Sequence, residues 1–181
     1  GYQVNVHAIG DKANSQVLDS FDAAYKIYDG KNLRNRIEHA QVLLVSDIPR
    51  FIPLQLIASM QATHATSDMN MAEDRIGPER MKGAYAWQTF LKQGTRIAGG
   101  SDFPVESANP FYGIHAAVTR QDAQNKPKGG WYSEQDMSVV EALRAFTIDA
   151  AYAAHAEKMQ GTLEPGKWAD FILIDRDIFT I

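Results

Sequence analysis

A chain of 181 residues with 45% hydrophobic and 22% charged side chains has the make-up of a globular protein with room for one core. Its 18 basic and 22 acidic residues give a formal charge of −4 with no basic stripe, which argues against nucleic acid as a partner. Cys is absent, so disulfides and thiolate metal sites are excluded and any metal must be held by His and carboxylates. No apolar run approaches the roughly 20 residues of a membrane helix, and the start lacks a signal-peptide pattern, so a cytoplasmic protein without a membrane partner is expected.

The chain begins without Met, at Gly1-Tyr2-Gln3-Val4-Asn5-Val6, already alternating like the inside of a strand, so it is expected to be part of something longer. Gln3 to Ile9 predicts a strand and Val17 to Tyr25 a helix, with Asp11 as its N-cap. Arg36 to Gln41 predicts a second strand, followed by a helix start at Ser46-Asp47-Ile48-Pro49. Leu54 to Gln61 is the third strand, followed by a polar loop to Pro78 and a helix from Glu79 to Lys92 that stops at Gly94. Thr95 to Asp102 is the fourth strand, and Phe111 to Gln124 a helix. Val139 to Glu157 predicts one or two further helices, a turn follows at Gly161 to Lys167, and Phe171-Ile172-Leu173-Ile174 reads as a buried strand.

Strands alternating with helices imply an α/β fold with parallel strands, either closed as a barrel or open as a doubly wound sheet. His7, His39, His64 and Asp102 fall at or near predicted strand ends, 32, 25 and 38 residues apart. These intervals are close to the roughly 31 residues of one unit in a (β/α)8 barrel, where all the strand ends converge on one face. Such a set suits a divalent ion, although a single His at a strand end is also a common structural residue and Asp102 could serve as a helix N-cap. His115 and His155 read as core or surface residues of helices, while Met69, Met71, Arg75 and Trp87 could line a pocket. No phosphate-binding glycine run follows any strand, which weakens a nucleotide-binding alternative.

Six segments sharpen this. His7-Ala8-Ile9-Gly10-Asp11, Ile37-Glu38-His39-Ala40-Gln41, Met60-Gln61-Ala62-Thr63-His64 and Gly100-Ser101-Asp102-Phe103-Pro104 resemble, in order, the later strands of the amidohydrolase superfamily, closest to its N-substituted formamide deformylase branch. Glu141-Ala142-Leu143 with Thr147, and Gly161 to Lys167 with Ala169-Asp170-Phe171, resemble that family's closing helix and its return to a small β-sandwich. The resemblance implies strands five to eight of a TIM barrel over residues 1–157 and the start of a β-sandwich appendage over 158–181. It implies His7 and His39 as metal ligands, and Asp102 as a metal contact and the general base for hydrolysis of an amide, formamide or cyclic amide. His64 is expected to contact substrate or polarise its carbonyl. The implied cofactor is one or two divalent ions, zinc first, with iron, manganese or nickel also compatible.

The family's strand-one His-x-His pair and strand-four Lys or Glu have no counterpart here. The isolated chain is therefore expected to be inactive, with open sheet edges and an apolar interior that favour self-association or pairing with a missing N-terminal half. The competing expectation is a non-catalytic half-barrel or binding scaffold.

Overall fold

Four short strands, β1 (Asn5–Ala8), β2 (Arg36–His39), β3 (Ile57–Met60) and β4 (Ile97–Gly99), pair in sequence order into one parallel sheet. The computed structural model describes residues 1–180. Because side chains alternate across a strand, register decides which residues share a face. Val6, Ile37, Ala58 and Ile97 lie level with one another and join the main hydrophobic core. The opposite face carries Asn5 beside Arg36 and His7 beside Glu38, with Ser59 and Ala98 continuing the second row. At β1 and β2 that face is polar, which corrects the expectation of an exposed apolar interior. The sheet can therefore meet solvent or another polar layer there at little cost, while helices must cover its apolar side.

Helix α1 (Asp11–Tyr25) buries Asn14, Leu18 and Phe21, spaced to fall on one side. Its N-cap is Gly10, and Asp11 is instead the first helical residue, with its carboxylate 2.7 Å from the Arg80 guanidinium. That ion pair, and the bond Asp11 accepts from the Lys12 amide, hold its pKa below the usual carboxylate value. Asn14 is fully buried, its Nδ2 lying 3.0 to 3.2 Å from the carbonyls of Ala8, Ile9, Gly10 and Val42. It ties the turn after β1 to the segment after β2.

The third unit departs most from expectation. Phe51–Leu54 is a short helix, α2, so β3 begins only at Ile57, and the expected loop after it holds α3 (Ala62–Asp68) and α4 (Ala72–Met81). Gly77 at φ 75° followed by Pro78 breaks α4 internally, since neither residue continues a helix comfortably. The chain then loops through Gly83, where an added Cβ would lie 2.0 Å from the Leu43 carbonyl oxygen, and resumes as α5 (Trp87–Lys92). Trp87 belongs to the core: it is fully buried beside a small internal void, and the buried Arg120 guanidinium stacks 4.2 Å over its ring. Burial drags the Arg120 pKa down to about 10, and its Nε and Nη1 donate to the Trp131 and Tyr85 carbonyls.

Helix α6 (Pro110–Thr119) opens with Asn109 capping the Phe111 amide and Pro at the first position. A reciprocal Ser138–Glu141 capping box starts α7 (Val139–Phe146), and the non-helical Thr147 separates it from α8 (Ile148–Ala153). The end of α8 covers the amino ends of the strands: Ile57 and Ala98 pack on Ala153, and Gln3 and Arg36 donate to the Ala153 carbonyl. Arg34 grips Glu157 through two bonds of 2.7 and 2.8 Å, and Arg96 pairs with Asp149. Phe171 to Ile174 do not form the expected buried strand. They lie exposed, Leu173 at 91%, and join no ladder among the described residues, so nothing holds them extended. Among the described residues no helix is long and apolar enough to cross a membrane.

Replacing Asn14 with Ala removes the side-chain amide that reaches the Ala8 and Val42 carbonyls, while those of Ile9 and Gly10 keep backbone donors. We expect a loss of about 1–3 kcal/mol in urea denaturation of the chain, and a change within error would contradict the clamp.

Candidate metal and active site

The carboxyl end of the sheet brings two imidazoles together. His7 is the third residue of β1, with an exposed side chain, and His39 is the buried last residue of β2. His39 and Ala40 take left-handed φ values of 77° and 44°, which ends the strand's alternation, and the His39 ring meets the His7 ring edge-on at 4.5 Å between centroids. Left-handed backbone at non-glycine residues is costly and tends to persist where a site needs it. The buried amide of Gln61, directly after β3, places its Oε1 2.8 Å from His39 Nδ1. An amide oxygen only accepts, so Nδ1 carries the ring proton and Nε2 keeps a free lone pair, the arrangement of an imidazole ready to bind a metal.

His64 does not end β3 as expected but sits in the first turn of α3, its ring stacked on His39 at 5.7 Å. Its Nε2 is buried without a hydrogen-bond partner. Burial pulls the His64 pKa below its ordinary value of 6.5; the Glu106 carboxylate pushes back, His39 adds to the lowering, and Asp102 and Asp68 act upward more weakly. Asp102 lies beyond β4, exposed, at φ 54°. It caps no helix, since the next one is capped by Asn109.

Among the described residues no three His, Asp or Glu side chains are grouped so as to hold a metal ion. Two imidazoles in contact, one with its free nitrogen fixed by Gln61, still match the donor chemistry of a zinc-type ion as two ligands of a larger set. A cavity of about 870 Å³ between α7, α8 and the C-terminal segment is lined by none of the four site residues.

Sequence reasoning missed a network beside this pair. The Tyr85 hydroxyl donates to Asp68 Oδ2 at 2.6 Å, and Gln41 Nε2 donates to the same oxygen at 2.8 Å. Burial, followed by the Asp68 carboxylate, drives the Tyr85 pKa well above its usual value. The network joins the loop after His39 to the helix carrying His64. Gln41 and Gln61 both stood inside recognised segments, but a Gln in a strand-end motif carries no signal until its partner is known. Of the other candidates, Met71 and Arg75 are exposed, Met69 and His115 line a separate pocket near α3, and His155 lies just past α8.

The family model for the amidohydrolase family matches residues 1–181. Protein LONG AFTER FAR-RED 3 of Arabidopsis thaliana is 39% identical over 175 residues, covering 96% of this chain and 30% of that protein. N-substituted formamide deformylase of Arthrobacter pascens is 26% identical over 181 residues, covering 98% of this chain and 32% of that protein. A solved metal-dependent hydrolase from Pyrococcus furiosus superposes with a TM-score of 0.79 at 34% identity, over 98% of this chain and 34% of that one. The chain thus spans about a third of the length of the proteins it matches.

Two outcomes follow from the geometry. In the complete protein, Gln61→Leu should weaken divalent-metal affinity by roughly 10–100-fold in chelator competition, and unchanged affinity would remove Gln61 from the site. In metal-free chain, the His64 ring should titrate below 6.5 by NMR. A folded ring that binds its proton less readily than the unfolded one makes stability fall as pH drops below about 6.5. His64→Gln should flatten that fall, and a midpoint at or above 6.5 would contradict the burial.

Proposed function

Since the chain belongs to the amidohydrolase family, we propose that it supplies part of the active site of a metal-dependent hydrolase that cleaves a carbon–nitrogen bond in a small amide, formamide or cyclic amide. The carrying observation is the His7–His39 contact with His39 Nδ1 held by Gln61, leaving Nε2 free. The ordered match over the whole chain supports the family chemistry, and the Arthrobacter relative, by its name, removes formyl groups from substituted formamides.

In this reading His7 and His39 hold one edge of the divalent ion, zinc first among candidates. Such an ion supplies Lewis acidity, lowering the pKa of a bound water toward about 7. Asp102 accepts the proton of the attacking water and returns it to the departing nitrogen. His64, stacked on His39, is assigned to contact or polarise the substrate carbonyl by donation from an Nε2–H, an atom that has no partner within the protein.

Four parallel strands in sequential order, with β1 and β4 at free edges and a third of the relatives' length, are consistent with strands five to eight of a (β/α)8 barrel. The remaining ligands then come from a preceding half that pairs with those edges. The isolated chain is inactive in this reading, since none of its described carboxylates completes a three-residue ligand group.

In the complete protein, assayed against a panel of N-alkylformamides and cyclic amides, Asp102→Asn should lower kcat by about 10²–10⁴-fold with KM little changed. Unchanged turnover would remove Asp102 from the chemistry.

A further inference from the structure

A pocket of about 370 Å³ opens between α3 and α6, walled by Thr63, Ser67, Glu106, Tyr112, His115 and Asp122 among others. None of the four candidate site residues lines it, but chain neighbours of two of them do. Thr63 and Ser67 flank His64 on α3, and Glu106 stands four residues beyond Asp102 on the same loop. Among the charges around His64, Glu106 acts most strongly.

The wall has a definite chemistry. It carries two carboxylates and neither Lys nor Arg. Glu106 Oε1 accepts from Ser67 Oγ at 2.7 Å, so that carboxylate is held in place against α3 with its second oxygen uncommitted. Asp122 Oδ1 is used by the Gln124 and Lys126 amides, which leaves Oδ2. Tyr112 stands half exposed in the wall, an aromatic ring able to stack on an apolar group or a cation. Thr63 Oγ1 is buried without a hydrogen-bond partner. Such a lining repels a carboxylate and favours a cation or a neutral donor.

We propose that this pocket binds the amine portion of the substrate. The inference rests on the carbon–nitrogen hydrolase reading. Cleaving an amide adds water across the bond: the hydroxyl goes to the acyl carbon, a proton goes to nitrogen, and an alkylamine leaves. At neutral pH that amine takes up a further proton and departs as ammonium. The acyl product is a carboxylate, which the same walls reject. The pocket therefore selects substrates whose nitrogen substituent is an alkylamine, bearing a further basic or hydroxyl group or an aromatic ring, and disfavours those carrying an acid on the nitrogen side.

Calorimetric titration of the complete protein with three matched probes tests this without turnover: 2-phenylethylamine, 2-phenylethanol and 3-phenylpropionate. The expected result is roughly tenfold tighter binding of the amine than of the alcohol, and no binding of the acid. Glu106→Gln should bring amine and alcohol within about threefold of each other, and Tyr112→Leu should weaken both while keeping their order. Equal binding of all three probes, or an amine preference untouched by both variants, would overturn the assignment. Turnover separates the two readings: with any cleaved amide, Glu106→Gln should raise KM and keep kcat. A protein that binds the amine as expected but cleaves no carbon–nitrogen bond loses the hydrolase reading and retains the amine site.

Discussion

The contact between His39 and Gln61 is the constraint on which the candidate site depends. A histidine can offer either ring nitrogen, and here a buried amide oxygen 2.8 Å from Nδ1 settles which one is left. That bond joins the end of β2 to the residue after β3, so neighbouring strands must keep their register for it to form. The left-handed turn at His39 then sets its ring against His7 from β1 and His64 from α3. Three elements far apart in sequence are thus tied through one imidazole.

The rest of the fold serves that convergence. The apolar side of the sheet is packed against helices, whereas the side carrying Asn5, His7, Arg36 and Glu38 stays polar. At the amino ends of the strands α8 closes the structure through Arg34, Arg36 and Arg96, which leaves the carboxyl ends for chemistry. Asn14 and the Tyr85–Asp68–Gln41 network brace the loops at that end. Positive φ values occur at His39, Ala40 and Asp102 beside the site, and also at positions remote from it such as Arg34, Gln55 and the buried Arg120.

Much of this was legible in the sequence, for physical reasons that differ by element. Alternation and turn signals located four strands, and the spacing of His7, His39 and Asp102 with their flanking segments pointed to the family that the comparisons bear out. Helix α3 was invisible because Ala62 to Asp68 mixes Ala with Thr, Ser and His, a composition that reads equally as loop. The helix expected from Glu79 to Lys92 is broken because Gly83 must pass close to the Leu43 backbone, a tertiary demand with no local signature. Phe171 to Ile174 had the composition of a strand, but a strand also needs a neighbour. The role of Gln61 could not be read at all, since its meaning lies in a partner 22 residues away.

The central claim is that His7 and Nε2 of His39 form one edge of a metal site within a carbon–nitrogen hydrolase. Anomalous diffraction at the metal edge from crystals of the complete protein tests it directly. The account predicts an ion about 2.0–2.1 Å from His39 Nε2 and from a ring nitrogen of His7, with His39 Nδ1 still bonded to Gln61. An ion bound elsewhere, or on the Nδ1 side of His39, would contradict it.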